Sequence, residues 1–513
     1  MKSSQKIVSF ENLSLLTQKL KSDGKKIIQC HGTFDLIHPG HIVHFQEAKA
    51  LGDILIVTVT AENFVNKGPG RPFFNDELRV LSLCNLEVVD YICLVPFPAA
   101  IEAIEAVQPN IYCKGREYEN PKIDVTGNFY DDIKTVDKVG GKVAYTGSTV
   151  FSSSKLLNSH FSNYSVGTKN LLQSLASTYS LNKIREFIDE FSSLKVLVIG
   201  DIIFDKYSTV SVQGLTSKNR ILSSRFIDES LQPGGALAIF RHIREFTQNV
   251  KLLSLCGNEP WINDELNNYL SADENLIQYH SNFTSIIKHR YVEPFNEGKE
   301  LSKLFSVNHI DKEHPSSNIE KGLYNQISSI IEDFDLVLVA DFGHGLMSSK
   351  IRNLVQDRAS FLALNCQTNS NNFGFNIINR QYKRTDSFSL DQSEMSLACG
   401  KKKFDECIEL EILRDSLDAS YGWFTRGGSE TIGISKNRKP CMCDSLEKTV
   451  VDTVGAGDAF CAIASLSAVS RLPIELATLF GQVSGALAVK IIGNSSCISK
   501  SSFLKGVEAL IKQ

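Results

Sequence analysis

The sequence predicts an α/β protein: two doubly wound parallel-sheet domains joined by a helical linker. Three observations carry that prediction. Short apolar runs such as Asp53–Thr60 (DILIVTVT) and Lys195–Gly200 (KVLVIG) read as strands buried on both faces. Segments of helical spacing alternate with those runs, the pattern of a parallel sheet covered by helices. The alternation stops once, in a Ser-, Asn- and Leu-rich stretch from His160 to Leu194, and then restarts. A chain of 513 residues has room for two or three domains. The expected divisions are residues 1–158, a linker at 159–194, and residues 195–513.

In chain order, residues 1–24 carry a short helix and Lys26–Cys30 the first strand. Ile42–Ala50 has helical spacing, and Asp53–Thr60 is the second strand. A helix at Asp76–Leu86, a strand at Tyr91–Leu94, a helix at Ala99–Val107 and a strand at Ile111–Cys113 follow. The linker holds a helix at Leu181–Phe191. Beyond it, Lys195–Gly200, Leu252–Leu255 and Asp335–Ala340 read as strands. Ala456–Val469 and Ile474–Ile491 read as the last helices. No internal repeat relates the halves.

Hydrophobic residues at 42% and charged residues at 22% give the balance of a soluble globular protein. A formal net charge of −4 offers no basic field, so neither nucleic acid nor membrane is expected as a partner. The polar N-terminus does not resemble a signal peptide, and no run of about 18 apolar residues suggests a spanning helix. The 12 cysteines are scattered, as expected of reduced thiols in a cytoplasmic protein.

The first chemical segment is Gly32-Thr33-Phe34-Asp35-Leu36-Ile37-His38-Pro39-Gly40-His41, which follows a strand and opens a helix. Backbone N–H groups and the positive helix end converge there on a place for an anion. His38 and His41 can donate hydrogen bonds to a phosphate as charge moves onto its leaving group. Zinc is the rival ligand, because His38, His41 and His44 are evenly spaced with His31 nearby. Against zinc, Pro39 and Gly40 put His38 in the turn, and no carboxylate or cysteine completes a set. Histidines without a chemical role are the remaining alternative, and His31 and His44 read as structural.

This segment resembles the G-x-F-D-x-x-H-x-G-H signature of the cytidylyltransferase-like nucleotidylyltransferases. Lys67-Gly68-Pro69-Gly70-Arg71-Pro72 is similar to the K-G-x-x-R-P segment of the heptose 1-phosphate adenylyltransferases, with Arg79 where their R-x-x-x-L lies. Lys114-Gly115-Arg116-Glu117-Tyr118 resembles their K-G-x-x-Y. Phe151-Ser152-Ser153-Ser154-Lys155 resembles the opening of their last helix. The resemblance covers about residues 25–158 and implies a Rossmann-like transferase domain. Its reaction is attack by a substrate phosphate oxygen on the α-phosphate of a nucleoside triphosphate, with pyrophosphate leaving. The implied roles are transition-state stabilisation by His38 and His41 and phosphate clamping by Lys67 and Arg79. Gly32, Thr33, Phe34, Gly40, Lys114, Gly115, Arg116, Ser152, Ser153 and Ser154 would bind nucleotide, and Asp35 would face the substrate. Taken alone, Lys67 and Arg79 also read as solvated charges, and the serines as a helix cap.

The second segment is Asp452-Thr453-Val454-Gly455-Ala456-Gly457-Asp458, ahead of an apolar helix. Gly455 and Gly457 permit a tight turn whose N–H groups meet at a helix N-terminus, which suits a transferring phosphoryl group. Asp458 can take the proton of an attacking hydroxyl; the plain alternative is a helix cap. The string resembles the C-terminal signature of the ribokinase, or pfkB-type, carbohydrate kinases. Gly200-Asp201-Ile202-Ile203-Phe204-Asp205 resembles their first strand, and Pro233-Gly234-Gly235-Ala236 their substrate-side turn. Asp341 with Gly345 resembles the end of a central strand, and Thr425-Arg426-Gly427-Gly428 the nucleotide-side turn.

This second resemblance covers about residues 195–510. It implies that Asp201, Asp205, Gly234 and Gly235 bind substrate. Thr425, Gly427, Gly428, Gly455, Ala456 and Gly457 would bind ATP. The chain departs from the heptose kinases at three places. Gly234-Gly235-Ala236-Leu237-Ala238 stands for G-G-A-A-N, Asn365-Cys366-Gln367 for D-P-K, and Asp391-Gln392-Ser393-Glu394 for N-x-x-E. Glu394 is the metal ligand this implies. Lost polar contacts around a sugar change specificity. The halves also come in the reverse order of the bifunctional heptose kinase/adenylyltransferases.

Together the resemblances imply two activities. A kinase half would use ATP and Mg2+ on a sugar or sugar-like hydroxy compound. A transferase half would join a sugar phosphate to ATP or CTP, yielding an activated, heptose-like precursor for surface polysaccharide. Small sugars, sugar phosphates and nucleotides are the expected partners. A second copy of the chain, paired through Val210–Phe226 in a homodimer or higher oligomer, is also expected. The rival is an active transferase with a non-catalytic kinase-like scaffold or regulatory domain. A third reading is a nucleotide sensor with neither activity.

Overall fold

Val, Ile and Leu crowd the strands of the N-terminal sheet because helices cover both of its faces. The computed structural model describes residues 5–119, 128–147, 164–293, 301–310 and 315–511, so Ser152, Ser153 and Ser154 lie outside the described residues. The chain divides into two units, Met1–Asn163 with Leu504–Gln513, and Tyr164–Phe503.

In the first unit, β1 (Ile27–Gly32), β2 (Ile54–Thr60), β3 (Tyr91–Val95), β4 (Ile111–Gly115) and β5 (Lys142–Thr146) run parallel. Their order is β3-β2-β1-β4-β5. On one face, Phe45, Val80 and Leu83 from the helices Pro39–Lys49 and Asp76–Cys84 pack on Ile28, Cys30 and Val57. On the other, Leu13 and Leu20 of the helix Phe10–Ser22 pack on Ile27 and Ile56. Ile104 and Val136 close the same face over Tyr112. The strand order reverses at β1, and the crevice beyond the carboxyl ends of β1 and β4 is where such sheets bind ligands.

In the second unit, β6 (Val196–Gly200) is followed by two 14-residue strands, β7 (Ile202–Leu215) and β8 (Leu222–Gly235). After these come β9 (Val250–Leu253), the short pair β10 (Leu255–Cys256) and β11 (Gln278–Tyr279), β12 (Ile286–Glu293) and β13 (Ser302–His309). The remaining strands are β14 (Leu336–Asp341), β15 (Leu362–Cys366), β16 (Ser387–Leu390), β17 (Tyr421–Thr425), β18 (Glu430–Ser435) and β19 (Cys441–Asp444). One sheet has the order β19-β18-β17-β16-β15-β14-β6-β9 and is parallel from β9 to β17. Its last two strands are antiparallel, because turns too short for a crossover join them. A second sheet, β13-β12-β7-β8, is separate from the first.

The stretch after Tyr164 is helical. Val166–Thr178 starts at a Ser165 cap, whose hydroxyl also donates to Asp444 at 3.0 Å, and Leu181–Glu190 follows. The helices Ala456–Val469 and Ile474–Ala488 are apolar nearly all round because they are buried nearly all round. All 12 cysteines are free thiols. No helix among the described residues is long and apolar enough to cross a membrane.

Candidate functional sites

His38 ends the loop after β1 as N-cap of the helix Pro39–Lys49. Its Nδ1 accepts the His41 backbone N–H at 3.4 Å, which leaves Nε2–H as the donor of the neutral ring. The two imidazoles stack with centroids 3.8 Å apart. Burial, then His38, Lys67 and His44, pull His41 down to about 3, so its ring is neutral at pH 7. Phe34 stands edge-on to His41 at 5.4 Å and against Phe45 at 5.2 Å. Lys67 is reached by solvent yet surrounded by protein. Burial, with Arg71, Lys114 and Lys505 and against the pull of Asp35, brings it down to about 8. Lys114, at the end of β4, lies 3.4 Å from Asp132 and 5.5 Å from the Tyr112 and Tyr118 ring centroids. Gly115 closes β4, and Arg116 is exposed just after it. Stacked imidazoles, a helix N-terminus and clustered cations make a place for phosphates.

Two expected ligand contacts turn out to be anchors. Asp35 Oδ1 accepts the N–H groups of Phe73 (2.8 Å) and Phe74 (3.0 Å), and its Oδ2 faces Arg71 at 3.4 Å. The carboxylate therefore holds the segment after Lys67 instead of facing a substrate. Arg79 is 1% exposed; its Nη1 donates to the carbonyls of Thr33 (2.7 Å) and Thr60 (2.9 Å), and its Nη2 pairs with Asp76. It ties the loop after β1 to β2, and its Nη1 hydrogen bonds go to the backbone and not to a phosphate. Neither role was legible, since apart from Asp76 the partners lie 19 to 46 residues away along the chain. Arg79→Met withdraws donors from two buried carbonyls, at about 1–3 kcal/mol each. A fall in the thermal midpoint is expected. An unchanged melting curve with lost pyrophosphate release would return Arg79 to the phosphates.

His31 sits between the hydroxyls of Thr58 (3.0 Å) and Thr60 (3.2 Å), and His44 meets the Thr146 hydroxyl at 2.6 Å. Among the described residues, no three His, Cys, Asp or Glu side chains gather as a metal cage.

In the second unit, Gly455 has φ 85 and caps the helix Ala456–Val469. A Cβ there would stand 2.1 Å from Asn494 Oδ1, so the turn requires glycine. Asp452 shapes the turn from below. It accepts the N–H groups of Val454 (3.1 Å) and Gly493 (2.9 Å) and the Tyr207 hydroxyl (3.1 Å), and pairs with Lys303 (2.7 Å). Asp458, one turn on, faces a cleft of about 560 Å³ that Thr425, Gly427 and Gly428 also line. Asn365 Nδ2 (3.4 Å) and Gln367 Nε2 (3.1 Å) both donate to Asp458 Oδ1. Burial, then Asp205, push Asp458 up to about 7; Lys288 and the two amides oppose the rise. The residues that replace D-P-K thus hold the candidate base. Sequence reading saw them only as losses, because 93 and 91 residues separate them from Asp458.

Asp205 pairs with Arg290, and Lys288 and Arg290 both project from β12 into the cleft. Gly234 and Gly235 close β8 opposite Ile203 and Ile202. Asp201 accepts the His344 N–H at 3.3 Å; burial, then Asp341, push it up to about 7. Asp341 itself is held by Arg352 (2.9 Å) and Tyr382 (2.7 Å). Glu394 forms a capping box with Asp391 and accepts the Thr368 N–H at 3.2 Å. Burial, then Asp391, push it up to about 8. Glu394 lines the cleft, and Mg2+, which takes oxygen donors and few protein carboxylates, would have to displace its proton there.

Each unit thus joins an α/β sheet to a helix N-terminus that could take an anion, one with paired histidines and one with a buried aspartate. Residues 30–156 match the cytidylyltransferase-like family, and residues 390–501 match the pfkB family of carbohydrate kinases. The chain carries a cytidylyltransferase-like domain followed by a pfkB carbohydrate kinase domain. The bifunctional protein HldE of Aliarcobacter butzleri is 37% identical over 143 residues, 27% of this chain and 30% of that protein. The HldE protein of Wolinella succinogenes is 33% identical over 142 residues, again 27% and 30%. Both match the N-terminal part, and the chain spans less than a third of the length of these relatives. Phosphofructokinase-2 from Escherichia coli, solved with substrates and products, shares the fold of the second unit. It is 12% identical, with a TM-score of 0.50, over 62% of this chain and all of that one.

Proposed function

We propose that the chain is a bifunctional enzyme, a nucleotidylyltransferase followed by an ATP-dependent sugar kinase. Its product is an activated, heptose-like precursor for surface polysaccharide. The observation that supports this most is the geometry of the two candidate sets, His38 stacked on His41 and Asp458 held by two amides. In the kinase unit, Asp458 takes the proton of a sugar hydroxyl as that oxygen attacks the γ-phosphate of ATP and ADP leaves. The N–H groups of the Gly455–Gly457 turn receive the developing charge. Glu394 would hold Mg2+, which supplies neutralisation of triphosphate charge when bound. Lys288 and Arg290 on the cleft wall favour a sugar already bearing an anionic group.

In the transferase unit, a substrate phosphate oxygen attacks the α-phosphate of ATP or CTP. His38 and His41 donate to the phosphates as charge moves onto pyrophosphate, and Lys67 adds positive charge. Exposed Leu222, Phe226, Ile227 and Phe305 on the four-stranded sheet support pairing with a second copy. The free thiols support a cytoplasmic setting.

The test is a screen of ATP, CTP, GTP and UTP against sugar phosphates, reading pyrophosphate. A parallel screen of sugars and sugar phosphates with ATP reads ADP. Pyrophosphate from no pair overturns the transferase. ADP from no sugar replaces the kinase with the scaffold reading.

A further inference from the structure

We infer that the last helical turns of the chain, Leu504–Ile511, complete the transferase site: they back the Lys67 loop and bring Lys505 to it as a further phosphate-facing cation. The inference rests on the transferase reading of the first unit.

Leu504–Gln513 belong to that unit although the sequence places them beyond the kinase signature. The contact is backbone against backbone. Gly68 has φ 91, and a Cβ on it would stand 2.8 Å from Gly506 Cα and 3.4 Å from Ala509 Cβ. A side chain on Gly68 would therefore push the loop off the helix and carry Lys67 with it. The helix is docked and not a loose tail, since Val507 is fully buried and Leu504, Leu510 and Ile511 nearly so.

Lys505 precedes Gly506 and is close enough to Lys67 to lower its proton affinity. Among the described residues, Asp35, Arg71 and Lys114 from β4 also act on Lys67, and Lys67 acts on His41 from the helix after β1. Glu508 is buried on the same last helix. Cations from three separate parts of the chain, the Lys67–Arg71 loop, β4 and the last helix, therefore meet where a triphosphate carries its charge, with Asp35 already paired to Arg71. Each cation so placed steepens the local field for the anion.

The test uses the full chain and the kcat/KM profile for pyrophosphate release, which reports groups of the free enzyme. Lys505→Gln is expected to raise KM for the nucleoside triphosphate by about tenfold. It is also expected to move the alkaline limb to higher pH, because Lys67 loses a repelling neighbour. Lys505→Arg is expected to restore both, and ADP release by the kinase unit is expected to stay constant. A merely structural lysine would not move the limb. An unchanged KM and limb in Lys505→Gln overturn the inference while the wild-type rate keeps the transferase reading. No pyrophosphate from wild type overturns both.

Discussion

Asp458→Asn is expected to lower ADP release by roughly 10²- to 10⁴-fold, the usual contribution of a positioned general base. The substitution keeps the shape of the side chain and the Gly455 turn, so binding and folding should change little. Pyrophosphate release from the other unit serves as the internal control. The same residue sets the pH dependence. Burial and Asp205 push its carboxyl up to about 7, and only the ionised form can accept a proton. The kcat/KM for the sugar should therefore fall about tenfold per pH unit below 7 and level off above it. Gln367→Leu removes one donor to the carboxylate, so the acid form gains and the limb moves to higher pH. At pH well above that limb, this variant should recover most of the wild-type rate, whereas Asp458→Asn should not. Equal ADP release by Asp458→Asn and wild type would remove the kinase assignment and favour the scaffold.

Strands buried on both faces were the most legible elements. Ile54–Thr60 and Leu336–Asp341 announce themselves because no polar side chain is needed on either face. The helix Ala456–Val469 falls where its apolar run predicts, since the glycine turn fixes its start. The four-stranded sheet was harder to see. Its strands β7 and β8 continue past the buried core into residues that alternate weakly, and most of β8 is exposed. The candidate reacting residues His38, His41 and Asp458 could be named from sequence because they lie beside their own turns. Their supports were not. Asn365 and Gln367 reach Asp458, and Arg79 reaches Thr33, only after the chain has folded. Asp35 and Arg79 show the converse error, in which a charge near a motif looks like a ligand but satisfies the backbone of a loop.

The second large effect is expected at His41. His41→Ala should lower pyrophosphate release by roughly 10²- to 10³-fold, the cost of removing a donor aimed at developing charge. ADP release should stay at the wild-type level. Two effects combine in this variant. The donor is lost, and His38 loses the ring stacked 3.8 Å from its own, which helps to hold its orientation. His41→Gln separates them, since an amide can donate without stacking as imidazole does; a partial recovery would assign the remainder to His38. The pH profile adds a second check. His41 is pulled down to about 3, so its neutral form persists through the whole working range. No acid limb near 6.5 should arise from it, and one that disappears in His41→Gln would mean that the ring works as imidazolium. His44→Ala should cost far less, because that ring is tied to Thr146 on β5 and acts as support. If His41→Ala releases pyrophosphate as fast as wild type, the paired histidines are packing, and the transferase reading fails at its centre.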